Sequence, residues 1–180
     1  MERLNTVVGY PHRRELAVGL IVMPLCLVFW TVAVSAESKS ELLLKKEPKG
    51  AVDVLALRKD VKDQQDVVVV GRIGGRVNPW IKGTAVFPIV DRSLKPCNEI
   101  PGDACKTPWD YCCETNVPKA TVLVMFVDEK GKVIKQDPRE LFHVKELSTV
   151  VVQGTAKRDK AGNVTVLATK LHVRDDKAKK

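Results

Sequence analysis

Aromatic residues and histidines are scarce in this chain. Phe, Trp and Tyr make up 5% of its 180 residues, so a hydrophobic core must consist mainly of Val, Leu, Ile and Ala. Beyond the N-terminal segment the histidines are His143 and His172, and both lie in patterns typical of packed or surface residues. No serine lies in a nucleophile elbow, and no phosphate-binding loop is present. We therefore expect that the protein is not an enzyme and carries no cofactor.

The overall composition excludes fibrous and disordered chains. Hydrophobic residues make up 44% and charged residues 29% of the sequence, a balance typical of one globular domain. The formal net charge is +8, but basic and acidic residues are interleaved along the chain, which is typical of a solvated surface. A basic tail is predicted at residues 175–180.

Residues 1–36 have the pattern of a secretory signal. Arg13 and Arg14 precede an uncharged apolar stretch, residues 16–36, which ends in small side chains. The stretch is also about long enough to span a bilayer, so an uncleaved signal anchor is the alternative, with membrane contact through residues 16–36 only. Both interpretations place the rest of the chain outside the cytoplasm, in the periplasm or outside the cell. The arginine pair leaves twin-arginine export open.

A folded domain is predicted at residues 51–174, after a polar linker at residues 37–50. It begins with a short helix, and then the hydrophobic period changes to two. A hydrophobic pattern of period two runs through residues 66–77, around Gly71, and through residues 149–157, around Gly154. A glycine in the middle of a strand weakens it unless the strand bends or bulges there. Two such strands predict a small closed barrel.

Three further strands and a helix complete the pattern. The strands are predicted at residues 84–91, 120–127 and 163–173. A helix of about one turn begins at Asp137, an N-cap candidate, with Pro138 at its first position. Pro88 lacks an N–H, so its strand must lack a neighbour there or bulge. The order is strand, strand, strand, short helix, strand, strand.

This order, and two stretches of sequence, resemble OB-fold domains of the anticodon-binding type. Val67 to Ile73, followed by Phe87 to Asp91, resembles the first hairpin of such a domain, and Val150 to Val173 resembles the last. We therefore predict a mainly β protein, a five-stranded Greek-key barrel with a short helix between strands three and four and an N-terminal helix. The resemblance implies a binding face on strands two and three and the loops after strands one and four.

The loop between the second and third strands, residues 92–118, is an insertion far longer than a simple barrel needs, so something must order it. It contains all the cysteines that follow the N-terminal segment, which are Cys97, Cys105, Cys112 and Cys113. Two structural disulfides are the first interpretation, in a pairing that the sequence leaves open. A zinc or iron–sulfur site is the alternative, although the spacing lacks the close cysteine pairs that such sites favour. A redox switch formed by a vicinal Cys112–Cys113 disulfide is a further alternative.

Polar and aromatic side chains of the implied binding face are the candidate ligand contacts. They are Arg72, Arg76, Asn78, Trp80, Lys82, Lys157, Arg158 and Lys160. Basic groups beside an aromatic ring suit single-stranded nucleic acid, but Trp80 is also placed to plug the end of the barrel. We predict first an exported, non-enzymatic binding module with a disulfide-stabilised loop, whose partner is a protein, a glycan or another envelope ligand. A metal or redox protein and a nucleic-acid binder are the alternatives.

Overall fold

The computed structural model of the protein describes residues 41–175. The predicted signal segment, the start of the linker and the tail after residue 175 lie outside the described residues. In the part that is described, none of the helices combines the length and the apolar character needed to cross a bilayer.

Six strands and two short helices are named here in chain order. They are β1 (Val52–Asp53), α1 (Val54–Asp60), β2 (Asp66–Ile73), β3 (Val86–Val90), β4 (Thr121–Phe126), α2 (Pro138–Phe142), β5 (Thr149–Arg158) and β6 (Val164–Val173). Helix α2 begins as predicted, because the Asp137 carboxylate accepts a hydrogen bond from the backbone N–H of Arg139. A 3₁₀ turn, Cys97–Glu99, lies in the long loop between β3 and β4.

Strands β2 to β6 close into a barrel. The order along the sheet is β1-β2-β3-β4-β6-β5, and β5 pairs back with β2 to complete the ring. Strands β4 and β6 are parallel, whereas the other barrel pairs are antiparallel. This is the Greek-key arrangement of an OB-like barrel, so the predicted fold class is confirmed.

The two mid-strand glycines stand where the backbones of neighbouring strands approach closely. A Cβ on Gly154 would lie 2.1 Å from the carbonyl oxygen of Leu167, and the β5–β6 register shifts between Gln153 and Gly154. A Cβ on Gly71 would lie 2.9 Å from the carbonyl oxygen of Val90. Only a residue without a side chain fits at either point, which is why the strand pattern is interrupted there.

Pro88 fits inside β3 because β2 ends beside it. The backbone N–H of Gly74 donates to the Pro88 carbonyl oxygen at 3.3 Å. The backbone of Pro88 therefore faces Gly74, the residue that directly follows the end of β2. In the described part of the chain the β2–β3 ladder ends with the pair of Ile73 and Ile89, so it calls for no N–H from residue 88. On the other side Pro88 stands in register with Leu123 of β4.

The barrel interior is mainly aliphatic, with a group of aromatic rings under α2. The Phe126 ring centroid lies 6.3 Å from that of Phe87 and 4.5 Å from that of Phe142 in α2. Trp80, from the β2–β3 loop, meets Phe87 edge-on at 6.0 Å. Valines from β2, β4, β5 and β6 fill much of the remaining core, to which β3 contributes Phe87 and Ile89.

Candidate functional site

The cysteine loop, residues 92–118, is folded by backbone hydrogen bonds between its two halves. The N–H of Cys97 donates to the carbonyl oxygen of Asp110 at 2.8 Å, and the N–H of Asn98 donates to that of Pro108 at 2.9 Å. These two bonds bring the 3₁₀ turn beside the segment that carries Cys112. The distant cysteines therefore meet because the loop folds back on itself.

Polar contacts fix this loop to the outside of the barrel. The Arg72 guanidinium on β2 lies 2.6 Å from the Glu99 carboxylate in an ion pair. The Trp109 indole N–H donates to the carbonyl oxygen of Val77 in the β2–β3 loop at 3.0 Å. A Cβ on Gly74 would lie 3.0 Å from the Trp109 carbonyl oxygen, so the loop backbone passes directly over this glycine.

Tyr111 attaches the cysteine loop to the barrel. Its side chain is buried in a small second core with Val90, Leu94 and Ala120. Its hydroxyl is buried and makes no hydrogen bond within the described residues. Burial raises the pKa of Tyr111 to about 12, although the charge of Arg72 acts in the opposite direction. The hydroxyl stays protonated at any physiological pH.

The four cysteine sulfurs lie in one cluster at the surface of this loop. The Sγ of Cys112 is 3.2 Å from that of Cys97, 3.9 Å from that of Cys105 and 3.9 Å from that of Cys113. Cys97 is buried, whereas Cys112 and Cys113 are exposed. All four are free thiols in the structure, so the disulfide interpretation stays a prediction.

Three of these thiols converge with a carboxylate on one point. The ligand atoms of Cys97, Asp103, Cys112 and Cys113 all lie within 4.8 Å of one another. The Sγ of Cys105 stands outside this group and lies 3.4 Å from the hydroxyl oxygen of Thr107 and 3.5 Å from its carbonyl oxygen. The structure thus points to Asp103, rather than Cys105, as the fourth member of a ligand set.

The spacing of the sulfurs suits a tetrahedral thiolate site. With zinc–sulfur bonds of about 2.3 Å, the sulfurs of such a site lie roughly 3.8 Å apart. The Cys112–Cys113 distance of 3.9 Å is close to this value, and the Cys97–Cys112 distance of 3.2 Å is somewhat shorter. All four ligand atoms lie within 4.8 Å of one another, which exceeds this sulfur–sulfur spacing by about 1 Å at most.

The thiols differ in how readily they ionise. Burial raises the pKa of Cys97 to about 12, and its hydrogen bond with Cys112 acts in the same direction. Hydrogen bonds from the side chain and backbone of Thr107 lower the pKa of Cys105. The hydrogen bond with Cys97 lowers the pKa of Cys112, but the contacts with Cys105 and Cys113, together with desolvation, outweigh it, so the pKa is raised overall. A metal ion that enters the cluster must therefore displace protons.

The predicted ligand contacts of the barrel divide into two separate groups. Arg76, Asn78 and Lys82 are exposed in the loop that follows the end of β2. Lys157, near the end of β5, and Lys160, just after the strand, are exposed next to the start of β2. The two groups lie at opposite ends of β2, so they do not form one shared binding surface.

Three of these predicted contacts have structural partners. Arg72 pairs with Glu99, as described above. The Arg158 guanidinium donates to the carbonyl oxygens of Arg58 and Val61, at the end of α1. Trp80 is only 8% exposed, so its ring is not available as a stacking surface for bases.

Trp80 instead plugs the barrel beside α2. Its indole N–H donates to the Glu146 carboxylate at 2.5 Å, and the Arg139 guanidinium lies 5.5 Å from the ring centroid. Sequence reasoning also missed Asp103 as a ligand, although an acidic residue among loop cysteines is a signal for it. Tyr111 was missed as an anchor, since no local pattern marks a buried loop residue.

Neither known protein families nor curated protein sequences give a match to this chain. Solved structures that are similar to it include three of low identity. A "putative aspartyl-tRNA synthetase" from Leishmania major Friedlin is 14% identical, with a TM-score of 0.44 over 76% of this chain and 24% of that one. This chain thus spans about a quarter of the length of that protein.

The other two are matched over nearly their whole length. The hypothetical protein ygiW from E. coli is 17% identical, with a TM-score of 0.35 over 71% of this chain and 94% of that one. A DUF3299 family protein from Pseudomonas aeruginosa PAO1 is 15% identical, with a TM-score of 0.34 over 76% of this chain and 93% of that one. These similarities are too distant to place the chain in a family.

Proposed function

We propose that this chain is a non-enzymatic metal-binding module in which Cys97, Cys112, Cys113 and Asp103 hold one zinc ion. The observation that carries the proposal is the convergence of these four ligand atoms within 4.8 Å. Thiolates and carboxylates are both zinc ligands, and four protein ligands are typical of a structural rather than a catalytic site. The zinc ion has no open position for a substrate in this arrangement.

The barrel supports the site. The ion pair between Arg72 and Glu99 and the contact of the loop with Gly74 hold the cysteine loop against β2. Outside its 3₁₀ turn the loop has little regular structure, so a zinc ion that joins three of its segments contributes directly to its order. Such an ion supplies the constraint that a long insertion needs.

A second role, as a binding module outside the cytoplasm, rests on two features. Residues 1–36 have the pattern of an export signal. The β2–β3 loop exposes Val77 (62%) and Ile81 (43%) between the cations Arg76 and Lys82. Apolar and basic groups side by side suit an anionic protein, glycan or other envelope ligand. The resemblance to anticodon-binding domains keeps single-stranded nucleic acid as an alternative, which the burial of Trp80 disfavours.

Metal analysis of the full chain, purified in mild detergent under reducing conditions, tests the zinc site. We expect about one zinc ion per chain, and a cobalt-substituted form with thiolate-to-cobalt absorption in the near ultraviolet. Cys113→Ser should weaken zinc binding by at least 10-fold, because it removes an exposed ligand without disturbing the core. Cys105→Ser is the matched control and should retain zinc. A reduced, folded chain that binds no zinc contradicts the proposal.

Charge reversal tests the second role. In the Arg76→Glu/Lys82→Glu variant we expect weaker binding of a sulfated glycan, used here as an anionic probe, with folding retained. A fluorescent single-stranded oligonucleotide serves as the probe for the nucleic-acid alternative. Equal binding of both probes by the variant and the unmodified chain, across a salt series, would count against a ligand site at this loop.

A further inference from the structure

Cys97 and Cys112 form the closest sulfur pair of the cysteine cluster. Their Sγ atoms lie 3.2 Å apart, whereas Cys112 lies 3.9 Å from both Cys105 and Cys113. The backbone hydrogen bond from Cys97 to Asp110 holds this pair in place from both sides of the loop. The fold of the loop therefore brings the two residues of this pair together.

The two members of the pair differ in access to solvent. Cys112 is exposed, and a small oxidant reaches it directly. Cys97 is only 1% exposed, and its Sγ lies directly beside that of Cys112. A sulfenic acid formed at Cys112 thus lies beside the buried thiol of Cys97, which can resolve it to a disulfide.

We propose that Cys97 and Cys112 are a peroxide-sensitive pair whose disulfide expels the zinc ion. This inference rests on the proposed function, and it unites the zinc and disulfide interpretations as two states of one loop. The ligand set contains both cysteines, so one disulfide removes two of its three thiolates at once. Cys113 and Asp103 alone do not retain a zinc ion.

The chemistry needs one molecule of hydrogen peroxide as the oxidant. The Cys112 thiolate attacks a peroxide oxygen, the S–O bond forms, the O–O bond breaks and hydroxide leaves. The Cys97 thiolate then attacks the sulfur of the Cys112 sulfenic acid, the S–S bond forms and a second hydroxide leaves. Two electrons pass from the thiolates to peroxide, both hydroxides take up protons to give water, and zinc departs as the unchanged divalent ion.

The experiment treats the zinc-loaded full chain with one equivalent of hydrogen peroxide. Zinc release is followed with a chromogenic chelator, and the cysteines are mapped by mass spectrometry of peptides without reduction. We expect release of about one zinc ion as two thiols are lost, with the Cys97–Cys112 peptide as the main product. A reductant should reverse both signals. Cys105→Ser is the control and should behave as the unmodified chain does.

The outcomes separate this inference from the proposed function. A main product that joins other cysteines overturns it, and so does a Cys97–Cys112 bond that forms while zinc is retained. In both cases the zinc bound before oxidation still supports the proposed function. A reduced chain that never binds zinc overturns the proposed function and the release step together.

Discussion

The carboxylate of Asp91 accepts a 2.7 Å hydrogen bond from the backbone N–H of Leu55, in the first turn of α1. Asp53 occupies the N-cap position of this helix, but its own carboxylate lies 2.7 Å from the Arg92 guanidinium in an ion pair. The residue that directly follows β3 therefore caps α1 through a backbone N–H that lies 36 positions earlier in the chain. This contact ties α1 to the barrel.

Replacement of Asp91 by Asn should destabilise the protein by about 1.5–3 kcal/mol at pH 7, because charge-assisted hydrogen bonds are lost. Burial raises the pKa of Asp91, but the hydrogen bonds from Leu55 and Ser93 and the charge of Arg92 outweigh it and lower the pKa overall. The stabilisation is thus present above the ordinary pKa of about 4 and is lost as the pH falls through the lower folded value.

Denaturant unfolding at pH 7 and at pH 3 measures this effect. The difference between Asp91→Asn and the unmodified chain should shrink at the lower pH. Asp60→Asn, at an exposed position of α1, is the control and should change stability by no more than about 0.5 kcal/mol. An Asp91→Asn chain as stable as the parent at pH 7 would refute the capping role.

Gly154→Ala should cost about 2–4 kcal/mol, because the new Cβ meets backbone atoms that cannot move without breaking the β5–β6 ladder. The overlap is with the Leu167 carbonyl oxygen at 2.1 Å. Thermal unfolding followed by circular dichroism measures the change. Gln153→Ala, at the exposed neighbouring position, should have little effect. A Gly154→Ala barrel of unchanged stability would show that the two strands are not so close.

Trp80→Ala should destabilise the fold by about 3–5 kcal/mol, the usual cost of deleting a buried aromatic side chain. Trp80→Phe keeps a ring against Phe87 but loses the hydrogen bond to Glu146, so we expect a smaller loss of about 0.5–1.5 kcal/mol. Both changes are measured by denaturant unfolding. If Trp80→Ala left stability unchanged, the ring would not be part of the core.

Tyr111→Phe should leave the protein equally stable or more stable by up to about 1 kcal/mol, since it removes a buried hydroxyl that has no hydrogen-bond partner in the described structure. Tyr111→Ala, which removes the whole ring from the second core, should instead cost about 3–5 kcal/mol. Thermal unfolding of the two variants separates the contribution of the packed ring to stability from that of the buried hydroxyl. A large loss in Tyr111→Phe would reveal a hydrogen bond at the hydroxyl.

The sequence predicts the barrel because its signals are local. Gly71 and Gly154 interrupt strands of period two, and Asp137 with Pro138 marks the start of a helix, so element order can be read without knowing any tertiary contact. The capping of α1 by Asp91 is not predictable in this way, because it joins residues far apart in the chain.

The cysteine cluster was predictable only in part. Four cysteines in one long loop indicate crosslinks or a metal, but the spacing does not show that Cys97 meets Cys112 or that Asp103 replaces Cys105. Those facts depend on the way the loop folds back through Cys97 and Asp110. The local pattern around Trp80 likewise fits a surface platform and a core plug equally well, and only the packing separates them.

The two strands that close the barrel, β2 and β5, are far apart in the sequence. The hydrogen bond from the Thr155 hydroxyl on β5 to the Asp66 carboxylate on β2 joins residues 89 positions apart. The nearest sulfurs of the cysteine loop are only 15 positions apart. Short closures cost less entropy and form sooner than long ones. We therefore expect the thiols to meet before the ring of strands closes during folding. In that order of events, an early encounter of the newly made chain with a metal ion or with an oxidant would determine which of the two proposed forms of the loop the finished barrel carries.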